Sequence, residues 1–393
     1  MKLFQLINEM FSRELASHGR AFVNYQALSG IEVKDMTIDG FPAKLFFNPA
    51  RVRSVMADVS PEALQQRACF LCPDGVEEHQ LTHNWDSPTG HTYYLRVNPF
   101  PIFSPHFTVS SSVHERQELL PHLESMLHLA KELPEMTIFY NGPMCGASAP
   151  DHMHFQAVPR HSLPIEDHFS TNYANAILVQ ETDLQTHLAA VKKVLAMGTI
   201  PEEANQTGSL TAGASHAEEY EPRWNIVSWY EPASSLTNSE ASNSPLGRPI
   251  GETPSHSLKE ASFNTIVFFR KESRPQCFFA PEEERILFSP ATVEMGGIGI
   301  VANRESFDRL TPARLRDIIR EVADIPYPIA NSPTCANTTD IYIYSSAIHY
   351  HAVSALRLYP CAPFPFGVGH SSCGAVYRPS LCLALRTSLP HFQ

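Results

Sequence analysis

The amino-acid sequence predicts an α+β fold in which antiparallel sheets carry flanking helices. Between residues 20 and 110, short apolar or aromatic runs alternate with turn-rich breaks, a pattern typical of strands. A helical spacing of apolar residues then begins at Glu115, and further strand-like runs follow it. Strands that surround one helix indicate an α+β unit.

The first residues predict an amphipathic helix, because Leu3, Leu6, Ile7, Met10 and Phe11 fall on one helical face. Glu9, Arg13 and Glu14 interrupt any apolar core of the kind that a signal peptide needs. We therefore expect a soluble, cytoplasmic protein. Its eight cysteines are then thiols or metal ligands rather than a disulfide framework.

Three runs predict the strands of the first unit: Phe41–Phe47, Tyr93–Val97 and Phe107–Ser110. One long helix is predicted from Glu115 to Leu133, with Pro121 in its first turn. The apolar run from Met136 to Tyr140 predicts the next strand, and the run from His152 to Val158 predicts another.

A second unit with the same order of elements follows. Strands are predicted at Trp224–Tyr230 and Thr265–Phe269, and helical spacing returns between Leu310 and Val322. The sequence therefore predicts two similar halves, a first half at residues 1–215 and a second, degenerate half at 216–324. Within the second half, the Ser-, Pro- and Asn-rich residues 232–262 predict an exposed loop.

Residues 325–393 form a tail of different composition, with only four charged residues and four of the eight cysteines. This composition fits either a buried extra subdomain or a segment outside the packed core, such as an out-of-frame C-terminus. We assign no chemistry to the tail.

The charge balance limits the partners. Among 393 residues there are 29 Lys and Arg against 41 Asp and Glu, a net charge of −12. Such a chain has no electrostatic footprint for duplex nucleic acid, although a nucleotide needs only a local site. No run of 18 apolar residues indicates a membrane span.

Cys69 and Cys72 have the two-residue gap that lets two thiolates reach one Zn²⁺. A redox pair or two buried thiols would show the same spacing. A closed tetrahedral site needs two more ligands, for which His114 and His152 are candidates. Four protein ligands would make this zinc structural.

The densest cluster of chemistry-bearing residues runs from Asn141 to Gln156. Its small residues let the backbone fold closely around an anion. On a strand, His152, His154 and Gln156 would share one face. An imidazole there can attack phosphorus and form a covalent phospho-histidine. Two histidines can equally be buried or surface residues with ordinary hydrogen bonds.

These motifs together resemble a known family. Cys-Phe-Leu-Cys at 69–72, His114 after a strand, and the series from Asn141 to Gln156 look like galactose-1-phosphate uridylyltransferase and its relatives. These relatives form the nucleotidyltransferase and phosphorylase branch of the histidine-triad (HIT) superfamily. They include bacterial diadenosine tetraphosphate and GDP-hexose phosphorylase-like proteins.

The resemblance implies a HIT-like fold and a role for each matching residue. His154 would be the nucleophile that becomes nucleotidylated, and Gln156 would hydrogen-bond the transferred phosphate. The phosphate pocket would be lined by Asn141, Gly146 and Ser148, and the nucleoside would contact Asn98 with Phe100 nearby. The zinc ligands would be Cys69, Cys72, His114 and His152.

The sequence departs from the uridylyltransferase pattern in two places. The linker between Ser148 and His152 is one residue longer, and Met153 replaces a proline between the histidines. We therefore assign no base to the substrate. In the second half, Arg270 and Arg274 could clamp a second phosphate or belong to a solvated basic turn.

The resemblance implies a ping-pong nucleotidyltransferase or phosphorylase. The donor would be a nucleotide sugar or a dinucleoside polyphosphate, and the acceptor inorganic phosphate or a sugar phosphate. Two alternatives are a hydrolase that uses water as acceptor and a nucleotide-binding zinc protein without catalysis. The expected partners are these small molecules, without nucleic acid or membrane, and a homodimer is compatible with the reading.

Overall fold

The computed structural model describes residues 2–52, 59–76, 80–170, 173–198, 221–235, 258–323 and 341–343. The α-helices of these residues are α1 (Leu3–Ala16), α2 (Arg20–Ala27), α3 (Pro61–Gln66), α4 (Leu123–Glu132), α5 (Pro164–Asp167), α6 (Leu184–Ala196), α7 (Thr292–Met295), α8 (Arg304–Arg309) and α9 (Pro312–Val322). Short 3-10 helices occur at Leu28–Gly30, Pro49–Arg51, Pro73–Gly75 and Gln276–Phe278.

The strands fall into three sheets. They are β1 (Glu32–Ile38), β2 (Phe41–Phe47), β3 (Thr82–Asp86), β4 (Thr92–Val97), β5 (Phe107–Ser111), β6 (Met136–Asn141), β7 (His154–Pro159), β8 (Ala176–Glu181), β9 (Trp224–Glu231), β10 (Ser234–Ser235), β11 (Leu258–Lys259), β12 (Ser262–Phe269), β13 (Ile298–Val301) and β14 (Ile341–Ile343). β10 and β11 pair only with each other.

The largest sheet has nine strands in the order β14-β8-β12-β9-β6-β7-β5-β4-β3. Every neighbouring pair in it is antiparallel. A smaller sheet joins β1, β2 and β13, with β13 parallel to β2. The α+β class with antiparallel sheets and flanking helices is therefore confirmed.

Other elements pack on both faces of the nine-stranded sheet. Consecutive residues of a strand point to opposite faces and so enter different cores. One face packs against α1, α2, α4 and α6 through a core that includes Ile138, Phe155 and Val267. The other face packs against the smaller sheet, α8 and α9 through Phe139, Val158 and Val227. The molecule thus has three layers, with the large sheet in the middle.

Two similar successions of elements contribute to this one sheet in mirrored order. The succession strand, helix, strand, strand occurs as β5-α4-β6-β7 and again as β8-α6-β9-β12. In space the strands lie as β8-β12-β9 followed by β6-β7-β5. The two successions therefore meet where β6 pairs with β9, from Ile138 opposite Ser228 to Asn141 opposite Asn225. The second succession begins at β8, within the predicted first half at residues 1–215.

Several helices begin where the sequence supplies a capping side chain. Asp183 accepts the Thr186 N–H at 2.9 Å at the start of α6, and Thr311 accepts the Arg314 N–H at 3.2 Å at the start of α9. Such bonds satisfy backbone donors that the first turn of a helix leaves unpaired. Pro312 follows Thr311 at a first-turn position that needs no N–H donor.

The prediction of one long helix from Glu115 to Leu133 is wrong for its first part, because α4 begins only at Leu123. Residues ahead of α4 use their backbone groups elsewhere: Glu115 accepts the Met153 N–H and Gln117 donates to Pro150. The strand predicted from His152 also begins later, at His154. His152 therefore lies in the preceding loop.

The other predicted strands match observed ones to within three residues at each end, as for Phe41–Phe47, which is β2. The loop predicted at 232–262 lies mostly outside the described residues, and its described end at Ser262 is buried in β12. The tail lies outside them too, except that β14 pairs with β8. Among the described helices, none is both long and apolar enough to cross a membrane.

His187 provides a test of the buried core. It is fully buried on α6, its Nε2 lies 2.8 Å from Thr265 Oγ1, and burial lowers its pKa to about 3. The unfolded chain has a His pKa of about 6.5 and takes up a proton that the folded chain refuses. Acidification from pH 7 to 5 therefore lowers the free energy of unfolding through His187 by about 2 kcal/mol.

We expect the His187→Gln protein to lose less stability than the wild type between pH 7 and 5, as measured by urea denaturation. The control His168→Gln changes an exposed imidazole and should keep the wild-type pH dependence. Identical pH dependence in His187→Gln and wild type would contradict the assignment.

Candidate active site and metal centre

Four side chains from three separate loops form a cluster that could hold a metal ion. Cys69 and Cys72 come from the segment after α3, His114 follows β5, and His152 precedes β7. Their ligand atoms all lie within 4.8 Å of one another. The structure thus brings together all four predicted metal ligands.

The spacing of the cluster fits a tetrahedral ion. Cys69 Sγ lies 3.3 Å from His152 Nδ1, Cys72 Sγ lies 3.3 Å from His114 Nδ1, and the two Nδ1 atoms are 3.3 Å apart. Tetrahedral Zn²⁺ with ordinary bond lengths would separate S and N ligands by about 3.5 Å and two N ligands by about 3.3 Å. A divalent metal such as zinc therefore fits these four residues.

The tautomer of His152 is fixed by a backbone group. Its Nε2 lies 2.9 Å from the carbonyl oxygen of Ser111, which can only accept a hydrogen bond. Nε2 therefore carries the proton, and the lone pair is on Nδ1, facing the thiols. Burial alone would raise the Cys69 pKa, but the contacts of its sulfur with His152 and with the backbone of Leu71 and Cys72 together outweigh burial and lower that pKa to about 6. A thiolate is the form that binds metal.

A glycine makes the cysteine loop compact. A Cβ at Gly75 would lie 1.9 Å from the carbonyl oxygen of Cys69. No side chain can occupy that position, so the turn that carries Cys69 and Cys72 closes tightly on itself. Arg67, which follows α3, forms an ion pair with Asp151 in the loop that carries His152.

A cavity of about 550 Å³ opens on the face of the nine-stranded sheet that carries the smaller sheet. Strand residues on its floor are Thr108, Phe139, Asn141, His154 and Gln156. Predicted site residues Asn98, Phe100, Gly146 and Ser148 also line it. The structure therefore gathers every predicted catalytic and substrate-binding residue around one cavity.

One ring nitrogen of His154 is hydrogen-bonded to the backbone, and the other keeps a lone pair available for reaction. Its Nδ1 lies 2.9 Å from the carbonyl oxygen of His152, so Nδ1 carries the proton and Nε2 the lone pair. Burial lowers the His154 pKa to about 4, so the ring is neutral at pH 7. Within the described residues, the structure gives Nε2 no hydrogen-bond partner.

Gln117 clamps the backbone of His154 and was not predicted as a site residue. Its Oε1 accepts the His154 N–H at 2.7 Å, and its Nε2 donates to the His154 carbonyl at 3.0 Å. Nε2 also donates to the carbonyl of Asn141 at 2.9 Å. One buried amide thus ties the first residue of β7 to the last residue of β6.

The amide of Gln156 is oriented through His106, a second residue that sequence analysis missed. The Ile102 N–H donates to His106 Nδ1 at 3.2 Å, so the neutral ring carries its proton on Nε2. Burial keeps the ring neutral by lowering its pKa to about 3. His106 Nε2 lies 2.9 Å from Gln156 Oε1, which must accept. The NH₂ group of Gln156 is therefore the part available to the cavity.

The small residues after β6 form a tight loop against the second half. Gly146 has φ +96°, and a Cβ there would lie 2.4 Å from Ala291 Cβ. Asn141 Oδ1 accepts hydrogen bonds from the Thr292 N–H at 2.9 Å and from Thr292 Oγ1 at 2.7 Å. Residues of the second half therefore fix the shape of the loop that was predicted to hold phosphate.

Asn98 and Phe100 lie at another wall of the cavity. Asn98 Oδ1 accepts the Phe100 N–H at 2.9 Å and closes a turn after β4. The Arg20 guanidinium lies 5.8 Å from the centre of the Phe100 ring, and Arg51 Nη1 donates to the Phe100 carbonyl at 2.7 Å. Both arginines also line the cavity.

The cavity is cationic. Four arginines line it, Arg20, Arg51, Arg96 and Arg274, whereas Glu294 is the single acidic residue among its described lining residues. Burial raises the pKa of Glu294 to about 7, which further reduces negative charge there. A polyanion suits this charge distribution.

The hypothesis that Arg270 clamps a second phosphate is not supported by its position. Its guanidinium is buried and donates to Asn225 Oδ1 at 2.7 Å and to the Pro290 carbonyl at 2.9 Å. Arg274 does line the cavity, and its Nε donates to Ser289 Oγ at 3.3 Å. The two arginines of this turn therefore have different positions.

Comparison with known proteins gives a family model and a set of solved structures. The model, described as a domain of unknown function (DUF4922), matches residues 10–159. The yeast Ap4A phosphorylase Apa2 is structurally similar at 15% identity and a TM-score of 0.44, over 77% of this chain and 96% of that one.

Two further structures of the same yeast protein are similar. Its complex with AMP gives 13% identity and a TM-score of 0.43, over 80% of this chain and 96% of that one. Its complex with Ap4A gives 13% identity and a TM-score of 0.39, over 77% and 96%. No curated protein matches the sequence.

Removing one thiol tests the metal cluster. We expect the wild type to bind about one equivalent of zinc. The Cys69→Ser protein should bind less than about a tenth of an equivalent, because a serine hydroxyl is a poor zinc ligand. Metal content is measured by inductively coupled plasma mass spectrometry on protein purified without chelator. Cys277→Ser removes a buried thiol outside the cluster and should retain the metal. Equal metal in all three proteins would exclude the site.

Proposed function

We propose that this protein transfers a nucleoside monophosphate through a covalent nucleotidyl-histidine formed at His154. One observation carries this proposal: the neutral ring of His154 donates Nδ1–H to the His152 carbonyl and leaves Nε2 as a nucleophile at a cationic cavity. A nucleophile of this kind splits one displacement at phosphorus into two.

In the first displacement, the lone pair of His154 Nε2 forms a bond to the α-phosphorus of the donor. The bond from phosphorus to the bridging oxygen breaks, and its electron pair leaves with the remaining phosphate. The imidazole becomes cationic while Nδ1–H stays on the His152 carbonyl. That hydrogen bond strengthens as positive charge develops on the ring.

The oxygens of the transferred phosphate need hydrogen-bond donors as charge shifts onto them. The NH₂ group of Gln156, the hydroxyl of Ser148 and the backbone around Gly146 are the donors available. In the second displacement, an acceptor oxygen attacks the same phosphorus, and Nε2 recovers its lone pair. Inorganic phosphate or a sugar phosphate would serve as this acceptor.

The donor class follows from the charge of the cavity. A nucleotide sugar or a dinucleoside polyphosphate carries the negative charge that four lining arginines favour. Asn98 and Phe100 would contact the nucleoside. The metal would be structural zinc, because four protein ligands leave no position for a catalytic water. Thiolate ligands suit a reducing compartment such as the cytoplasm.

Intact-mass spectrometry tests the covalent step. The full chain is incubated briefly, without acceptor, with UDP-glucose, GDP-mannose, ADP-glucose or diadenosine tetraphosphate. We expect a mass gain of one nucleoside monophosphate with the correct donor and none in His154→Ala. The control His128→Ala changes a histidine outside the cavity and should form the adduct normally. An adduct that persists in His154→Ala would remove His154 from the nucleophile role.

The acceptor distinguishes a phosphorylase from a hydrolase. Adduct that is discharged rapidly only after phosphate or a sugar phosphate is added supports transfer. Rapid discharge in buffer alone would identify water as the acceptor. Folded, zinc-replete protein that forms no adduct with any donor would favour a binding protein.

His106 tests the orientation of Gln156. His106→Leu removes the Nε2–H that holds Gln156 Oε1, so the amide can turn its oxygen toward the phosphate. We expect the rate of adduct formation at saturating donor to fall about 10- to 100-fold. Complete loss of one donor to developing charge costs about 100- to 1,000-fold, and in this variant the amide is still present but no longer held in one orientation.

Tyr25→Phe provides the matched control, because Tyr25 bonds only to backbone groups of His106. It should slow adduct formation less than threefold. If both variants slow the reaction equally, His106 supports the fold rather than the orientation of the amide.

A further inference from the structure

One wall of the cavity is built from the segment that carries two of the metal ligands. We call residues 69–75 the cysteine turn, because they include both Cys69 and Cys72. Leu71 and Gly75 of the same turn line the cavity. A single short piece of backbone therefore serves the metal cluster and the cavity together.

Arg96 connects the cysteine turn to the floor of the cavity. Its Nη1 donates to the carbonyl of Leu71, which lies between the two cysteines, at 2.8 Å and to Ser110 Oγ at 3.4 Å. Its Nε donates to Thr82 Oγ1 at 3.0 Å on the neighbouring strand β3. Bonds from two different nitrogens fix the plane of the guanidinium.

The guanidinium keeps one nitrogen for a ligand. Arg96 is only 4% exposed and lines the cavity, and Nη2 makes no hydrogen bond within the part of the chain that the structure describes. No carboxylate among those residues forms an ion pair with Arg96. Because a buried cation is costly unless an anion accompanies it, the cavity favours an anion at Nη2.

The register of the sheet places this anion beside the proposed transfer site. Arg96 on β4 lies opposite Thr108 on β5, and Thr108 lies opposite Gln156 on β7. All three residues line the cavity. Two strand spacings, about 10 Å, separate the backbones of Arg96 and Gln156. A phosphate bonded to both the guanidinium and the amide would fill the space between these two side chains.

We propose that Arg96 binds a phosphate of the nucleotide through Nη2 and thereby couples nucleotide binding to metal binding at the cysteine turn. This inference rests on the proposed function for the identity of the ligand. A metal that joins Cys69 to Cys72 would fix the Leu71 carbonyl between them, and this carbonyl holds the guanidinium in place for the phosphate. Each ligand then raises the affinity for the other.

The coupling is measured as the change in zinc affinity that a nucleotide causes. Zinc affinity of the full chain is determined by competition with the chromophoric chelator 4-(2-pyridylazo)resorcinol, without nucleotide and with saturating AMP, GMP, UMP or CMP. A monophosphate offers no leaving phosphate, so turnover does not interfere, and a titration without protein corrects for zinc held by the nucleotide. We expect the nucleotide to raise zinc affinity about tenfold, a typical coupling between two sites.

Two matched substitutions identify the residue that carries the coupling. Arg96→Gln should reduce the coupling factor to less than about twofold, because the amide has neither the charge nor the planar fork of the guanidinium. Arg274→Gln removes another cavity arginine, whose Nε donates to Ser289 Oγ. At its own saturating nucleotide concentration, the Arg274→Gln protein should keep the factor of about ten.

A purely structural role of Arg96 gives a different result. It would lower zinc affinity equally with and without nucleotide and leave the coupling factor unchanged, which would overturn the proposal. If Arg96→Gln does not fold, Arg96→Lys is measured in its place. It should lower the factor to less than about threefold, since one ammonium cannot hold the carbonyl and the phosphate in the geometry of a fork.

Linkage requires the same factor in the reverse direction. Isothermal titration calorimetry should show that the nucleotide binds zinc-loaded wild type about tenfold more tightly than metal-free wild type. Equal affinities, or no binding of any of the four nucleotides, would contradict the coupling.

Adduct formation keeps this outcome separate from the proposed function. If wild-type protein forms the His154 adduct but the nucleotide leaves zinc affinity unchanged, transfer stands and the coupling fails. If the nucleotide raises zinc affinity through Arg96 but no donor forms an adduct, the coupling stands and covalent transfer fails.

Discussion

The arrangement of the site depends on His152, whose ring belongs to the candidate metal cluster and whose carbonyl orients His154, the proposed nucleophile. The Ser111 carbonyl holds His152 Nε2–H, so Nδ1 faces the thiols of Cys69 and Cys72. The carbonyl of the same residue accepts Nδ1–H of His154. A metal that fixes the His152 ring would therefore also help to hold His154, the proposed nucleophile, in its tautomer. The candidate metal ligands and the proposed reacting nitrogen are thus coupled through one residue.

The second constraint is that backbone groups rather than side chains set the protonation of three imidazoles. His106, His152 and His154 each face a backbone N–H or carbonyl that has only one hydrogen-bonding role. Side-chain partners can rotate or titrate, whereas these backbone groups keep a single hydrogen-bonding role. The site is thus oriented by the register of β5 against β7, and the second half completes it by pressing Ala291 and Thr292 onto the loop after β6.

The sequence reveals much of this arrangement, and its failures have physical causes. Apolar runs locate β6 and β9 because both faces of these strands are buried. The spacing of Cys69 and Cys72 identifies a ligand pair locally. Sequence analysis missed Gln117 because it lies in a run with helical apolar spacing. Its hydrogen bonds go to a strand far along the chain, which local spacing does not reveal. His106 could not be recognised for the same reason: the pairing of β5 with β7, not a neighbouring residue, brings it to Gln156.

The pairing of β6 with β9 also limits how the chain can be divided. The segment that matches the family model ends at residue 159, the last residue of β7. If the chain were cut there, β6 would lose its partner β9 and become an open edge of the sheet. Its residues are all buried in the intact chain. An apolar edge of that kind invites pairing with other chains and aggregation. We therefore expect that the matched segment does not fold by itself, although it contains the proposed nucleophile and all four candidate metal ligands.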